Sequence, residues 1–172
     1  MRGMSRPFTV LVLCTGNSAR SILGEVLIND LGRGRLRAHS AGSHPAGRVN
    51  PGALAKLSRE GHDVEGLESK SWDVFSGASA PPVDLVITVC DNAAGESCPI
   101  FTGSPVTVHW GIRDPAIESD DDELIADEFD RAYAQLRGRI KAMLALPIET
   151  MDDVELAAAL QRIHRLVDGA AS

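Results

Sequence analysis

The sequence predicts an α/β protein built on a parallel sheet. Short apolar, β-branched runs alternate with stretches of helical periodicity, the pattern of strand–helix–strand units. The first of these runs is continuously apolar, as a strand buried on both faces reads. The connecting segments are long enough for crossovers, which in parallel sheets are right-handed. With 172 residues, 44% hydrophobic and 24% charged, the chain can enclose one proper core.

Thr9–Leu13 (TVLVL) is the first predicted strand. From Ser21, Ile22, Leu23, Val26, Leu27 and Leu31 recur at helical spacing, and Gly32 is placed to stop that helix. Arg35–His39 is a second strand, followed by the turn-rich SAGSHPAGRVNPG. Pro51 opens a helix through Glu60, and Ser71–Phe75 forms a short one. Asp84–Val89 is the third strand and Pro105–His109 the fourth. The acidic run Glu118–Glu123 suits the positive end of a helix. The helical face through Ile125, Phe129, Ala132, Leu136, Ile140 and Met143 runs until Pro147. Leu156, Leu160, Ile163 and Val167 mark a last amphipathic helix within Asp152–Val167.

A net charge of −7 argues against a nucleic-acid binder, which needs a basic face against phosphates. It leaves room for a small anion held by local donors. No apolar run reaches membrane-span length, and the N-terminus carries no signal-peptide pattern, so the sequence predicts a cytoplasmic chain. Three cysteines, Cys14, Cys90 and Cys98, are an odd set for a structural disulfide framework.

Two of those cysteines follow predicted strands, where ligands bind in open α/β sheets. Cys14 opens the bend CTGNSARS, with Arg20 six positions on and a helix beginning beside it. The backbone N–H groups of Thr15, Gly16, Asn17, Ser18 and Ala19 can converge there, aided by the helix N-terminus. Arg20 offers a planar fork of donors to a tetrahedral oxyanion. The same field pulls Cys14 toward thiolate, with the Ser21 hydroxyl in place to hold it. A bare C-x5-R match also describes a buried core thiol and a surface cation, but the strand, small residues and helix favour a nucleophile. Neither G-x-x-x-x-G-K-[ST] nor G-x-G-x-x-G is present. Asp114, stiffened by Pro115 in HWGIRDPA, is a candidate acid for a departing oxygen; taken alone it reads as a turn residue.

CTGNSARS, SAGSHPAGRVNPGA, DLVITVCDNAAGESCP and HWGIRDPA occur in the order found in arsenate reductases of the low-molecular-weight tyrosine phosphatase superfamily, which the chain resembles from about Thr9 to Leu144. The resemblance implies a four-stranded parallel sheet with helices on both faces. A catalytic domain over 1–148 would then carry a C-terminal helical extension over 149–172, packed on the same domain or on a second subunit. It implies Cys14 as nucleophile, Arg20 as oxyanion binder and Asp114 as general acid. Phosphatases of this superfamily share those three residues and regenerate the thiolate with water, so a phosphomonoester hydrolase is the alternative.

The resemblance also places redox thiols in the segment holding Cys90 and Cys98, which are separated by the seven residues DNAAGES. Read as structure alone, they are a core thiol and an idle loop thiol; zinc ligation does not match their spacing. A Cys14/Cys90/Cys98 relay would need thioredoxin or a glutathione–glutaredoxin system as external reductant. The stretch after Asp-Pro reads AIESDDD, without the aromatic residues that line a phosphotyrosine pocket, so arsenate, phosphate or sulfate fit better. No tightly bound cofactor is expected. The family's potassium site maps onto Asn17, Glu25, Ser40 and Asp73.

Overall fold

The computed structural model describes residues 6–90 and 101–171. Its centre is a parallel sheet of β1 (Phe8–Cys14), β2 (Leu36–Gly42), β3 (Leu85–Thr88) and β4 (Val106–His109), in the order β2–β1–β3–β4. Every residue of β1 is buried, as its continuously apolar sequence requires. The register sets Cys14 beside Gly42 and Leu13 beside Thr88. Val89 N–H then donates to Leu13 O at 3.0 Å, which levels Cys90 with the end of β1. The two predicted strand-end cysteines therefore meet at the carboxyl end of the sheet.

Side chains alternate along β1. Val10 and Val12 enter the larger core with Leu85, Ile87 and Val108, where α1 (Arg20–Gly32), α2 (Pro51–Arg59), α3 (Asp122–Leu144) and α4 (Asp153–Ala171) all contribute. Leu11 and Leu13 enter a smaller core with Ala41, Val86 and Phe101, covered by Phe75 from the one-turn 3-10 helix Trp72–Phe75. The helix signals act as chemistry dictates. Asn50 caps α2 by accepting from Gly52 N–H at 2.7 Å, with Pro51 in the first turn. Asp121 caps α3 by accepting from Glu123 and Leu124 N–H. The acidic run from Glu118 thus precedes this helix for four residues, because the capping carboxylate is Asp121.

The C-terminal helix packs on its own domain. Leu156, Leu160 and Ile163 lie in the larger core, and Trp110 Nε1 donates to Leu160 O at 2.8 Å. β4 is an edge strand, and its outward His109 N–H donates to Gln161 Oε1 at 2.7 Å. Helix α4 thereby covers a sheet edge that would otherwise offer pairing groups to another chain. Leu160 is 0% exposed, so Leu160→Ala should lower unfolding free energy by about 2–5 kcal/mol. Urea titration checks this; a loss below about 1 kcal/mol would mean that α4 is not part of the core. Among the described residues, no helix is long and apolar enough to cross a membrane.

Candidate active site

After Cys14 the chain bends through Thr15–Ala19 into α1. The segment after β2 draws the bend's carbonyls outward. His44 N–H donates to Thr15 O at 2.9 Å, Ala46 N–H to Gly16 O at 2.9 Å and Asn50 N–H to Ser18 O at 2.8 Å. Each trans peptide is planar with N–H opposite C=O, so these contacts turn the N–H groups of Gly16, Asn17 and Ala19 inward. Asn17 takes a left-handed φ of 45°, which asparagine tolerates. Its buried amide fixes the bend: Oδ1 accepts from Lys70 N–H at 2.8 Å and Nδ2 donates to Ser21 Oγ at 2.9 Å. No side chain caps α1 at Ala19. An anion in the cradle would meet its inward amides and the positive end of the helix dipole.

Gly42 makes this possible and went unnoticed in the sequence. A Cβ there would stand 2.4 Å from Thr15 O, 2.9 Å from Cys14 O and 3.0 Å from Asn17 N, all backbone atoms. Only glycine lets β2 run so close beneath the bend. The signal could have been found only by pairing β1 with β2 in register.

Cys14 and Cys90 are both buried free thiols, and they are hydrogen-bonded to each other. Thr15 N–H donates to Cys90 Sγ at 3.2 Å, and Thr15 Oγ1 lies 3.5 Å from it. Thr15 therefore aims its amide at the second sulfur, whereas the sequence reading gave it to the oxyanion. The thiolate expected at Cys14 also needs correction. Its pKa is pushed up, first by the hydrogen bond to Cys90 and next by burial. The Arg20 charge and the Gly16 N–H pull the other way but do not prevail. Two touching sulfurs hold one negative charge far more easily than two. Ser21, expected at the Cys14 sulfur, is engaged with Asn17.

This contact has a measurable sign. A raised pKa leaves Cys14 protonated at neutral pH, and removing Cys90 removes the largest cause. Cys14 should therefore alkylate faster at pH 7 in Cys90→Ala than in the wild type. Slower or equal alkylation, read by mass spectrometry of the Cys14 peptide, would contradict the shared-proton pair.

Arg20 reaches across the mouth of the cradle. Its Nη1 donates to Ile112 O at 3.0 Å, and its Nη2 lies 3.6 Å from Asp114 Oδ2. Its Nε is buried and has no partner among the described residues, a donor suited to an incoming oxygen. Asp114 is 54% exposed, with Oδ1 accepting from Ala116 N–H at 2.9 Å. The loop after β4 reaches this place because Trp110 N–H donates to Thr88 O and Ile112 N–H to Val89 O. Cys14, Arg20, Asp114 and Cys90 are thus gathered at the carboxyl ends of the strands. Cys98 lies outside the described residues.

Ser40, Glu25 and Asn17, three of the four potassium candidates, are engaged by other protein groups. Ser40 Oγ donates to Glu25 Oε1 at 2.7 Å, while Asn17 serves Lys70 and Ser21. Asp73 is exposed at the start of the 3-10 turn. Lys70 Nζ stands 3.7 Å from Glu25 Oε1, so an ammonium already supplies the positive charge there. The Glu25 and Asn17 oxygens are thus held by protein donors in this structure. Among the described residues, no three His, Cys, Asp or Glu side chains gather to hold a metal.

Known proteins are similar to this chain in sequence and fold. The family model described as low molecular weight phosphotyrosine protein phosphatase matches residues 9–155. An arsenate reductase of Bacillus cereus (strain 03BB102) is 33% identical over 138 residues, 80% of this chain and 95% of that protein. A solved arsenate reductase in its phosphate-binding state superposes with a TM-score of 0.64 at 25% identity, covering 80% of this chain and 96% of the other. A thioredoxin-dependent arsenate reductase from Corynebacterium glutamicum gives 0.55 at 26% identity, covering 81% of this chain and 64% of the other. The matched span holds the cradle, Cys90 and Asp114 together, and the chain belongs to the low-molecular-weight phosphotyrosine protein phosphatase family, among its arsenate reductases.

Proposed function

We propose that this protein reduces arsenate to arsenite, with Cys14 as nucleophile and Cys90 as the thiol that releases the product. The observation that carries the reading is a second buried free thiol beside the first: Cys90, whose Sγ accepts from Thr15 N–H at 3.2 Å, stands next to Cys14 on the cradle floor. A phosphatase needs one thiol there; a two-electron reduction needs two.

Arsenate enters with its oxygens on the Gly16, Asn17 and Ala19 N–H groups and the Arg20 fork. The Cys14 proton passes to a bound arsenate oxygen as the sulfur attacks arsenic. Asp114, in its protonated form, gives its proton to the departing oxygen, which leaves as water. A Cys14–S–As(V) adduct remains. Cys90 then attacks the Cys14 sulfur, and its proton passes to an oxygen of the departing arsenite. The S–As bond breaks with both electrons kept by arsenic, and arsenite departs from a Cys14–Cys90 disulfide. Arsenic gains two electrons and the two thiols lose them. Cys98 attacks Cys90 in turn, freeing Cys14 and moving the disulfide to Cys90–Cys98.

An external dithiol must reduce that last bond. Thioredoxin is the preferred donor, because the Corynebacterium glutamicum relative is thioredoxin-dependent; glutathione with glutaredoxin is the second choice. Such reductants operate in the cytoplasm, the compartment in which this relay would work. The test couples the purified protein to thioredoxin and its reductase and follows arsenate-dependent NADPH oxidation. Wild type should turn over continuously, Cys14→Ser should be silent, and Cys98→Ser should stop after about one arsenite per chain. Continuous turnover by Cys98→Ser at the wild-type rate would remove Cys98 from the relay. Glutaredoxin-supported turnover without thioredoxin-supported turnover would change the partner.

A further inference from the structure

Helix α3 holds the loop that carries Asp114 through its own main chain. Trp110–Arg113 presents four consecutive carbonyls, and each accepts from an arginine. Arg139 Nη1 donates to Trp110 O at 2.8 Å and to Gly111 O at 3.3 Å. Arg20 Nη1 donates to Ile112 O at 3.0 Å, and Arg131 Nη2 to Arg113 O at 3.1 Å. Arg139 is 0% exposed, and a buried guanidinium is a costly way to hold a loop unless its exact placement matters. Arg131 is itself fixed by Glu128 Oε2 at 2.7 Å and Gln135 Oε1 at 3.0 Å on the same helix. Glu128 Oε1 also accepts from Arg113 Nη2 at 2.8 Å.

We infer that Arg139 and Arg131 are positioning residues for the reaction: they set the Trp110–Asp114 loop so that Asp114 and the Ile112 carbonyl that steadies Arg20 stand at the cradle mouth. Arg20 is the catalytic member of the row, since it faces the oxyanion. The other two reach the site only through the peptide units they hold. A rigid helix fixes such a loop better than its own turn can, and small displacements of an acid have large effects on rate. The inference rests on the proposed role of Asp114 as acid.

The experiment is a double-mutant cycle in kcat between Arg131→Met and Asp114→Asn. Arg131→Met alone should lower kcat about tenfold with KM changed less than threefold, since the cradle amides stay in place. In the Asp114→Asn background the same substitution should change kcat less than twofold. Arg139→Lys, which keeps one donor to the carbonyls, should fall between wild type and Arg139→Met. Leu136→Ala, on the same helix and 1% exposed, is the control for lost stability: it should lower Tm while leaving kcat within twofold. Equal losses from Arg131→Met in both backgrounds would overturn the inference, as would an unchanged kcat with a lowered Tm. An Asp114→Asn variant with full activity would also overturn it. If the wild type reduces no arsenate, the arsenate reading fails separately, and the same cycle is read on aryl phosphate hydrolysis. A protein active on neither substrate sinks both.

Discussion

Gly42→Ala should reduce turnover at least a hundredfold while leaving the sheet folded. The new methyl would sit 2.4 Å from Thr15 O, nearer than unbonded atoms approach, and its other close neighbours are also backbone. No flexible side chain can give way, so the bend must lift. A shift of about 1 Å in a positioned group is enough to cost on the order of a hundredfold in rate. Stability should fall by about 1–3 kcal/mol, as for other overpacked sites. Oxyanion affinity reports the same event: phosphate should protect wild-type Cys14 from alkylation and fail to protect the variant. Preserved protection would show that the bend tolerates a side chain beneath it.

Cys90→Ala should lose arsenate turnover by at least a thousandfold and keep hydrolysis of aryl phosphates. Cys14, Arg20 and Asp114 remain, so attack on phosphorus or arsenic is still open. What disappears is the second electron-donating sulfur, and the adduct must await water or an external thiol. Cys90 removal also lifts the largest cause of the raised Cys14 pKa. Aryl phosphate hydrolysis near pH 7 should therefore be equal to or faster than that of the wild type. The two activities should move in opposite directions under one substitution. A parallel loss of both would assign Cys90 to the fold alone.

The local parts of this site were legible in the sequence, and the nonlocal parts were not. TVLVL reads as a buried strand because its apolar run is continuous, and Cys14 to Arg20 is a spacing within one bend. Pro51 and the acidic run Glu118–Glu123 announce helix starts through chemistry confined to a few neighbouring residues. Gly42 is different: nothing around it in sequence demands glycine until the register puts it against Cys14. The raised pKa of Cys14 was hidden for the same reason. The expectation of a thiolate used the charges within CTGNSARS, whereas the deciding neighbour, Cys90, is brought in by β3. Lys70 beside Glu25 and Arg139 beneath Trp110 are likewise contacts between distant segments. Periodicity predicts the helix that contains Arg139, but it cannot say which carbonyls the side chain meets.

The most direct test of a two-thiol reduction is a single turnover without any external reductant. Fully reduced protein is mixed with excess arsenate, and arsenite and free thiols are counted as the reaction stops. Two-electron reduction by the chain's own sulfurs predicts about one arsenite and two lost thiols per protein, with Cys14–Cys90 or Cys90–Cys98 linkage in the mapped peptides. The Cys90→Ala protein should release no arsenite under these conditions. Arsenite formed without loss of thiols, or no arsenite from the wild type, would contradict the account.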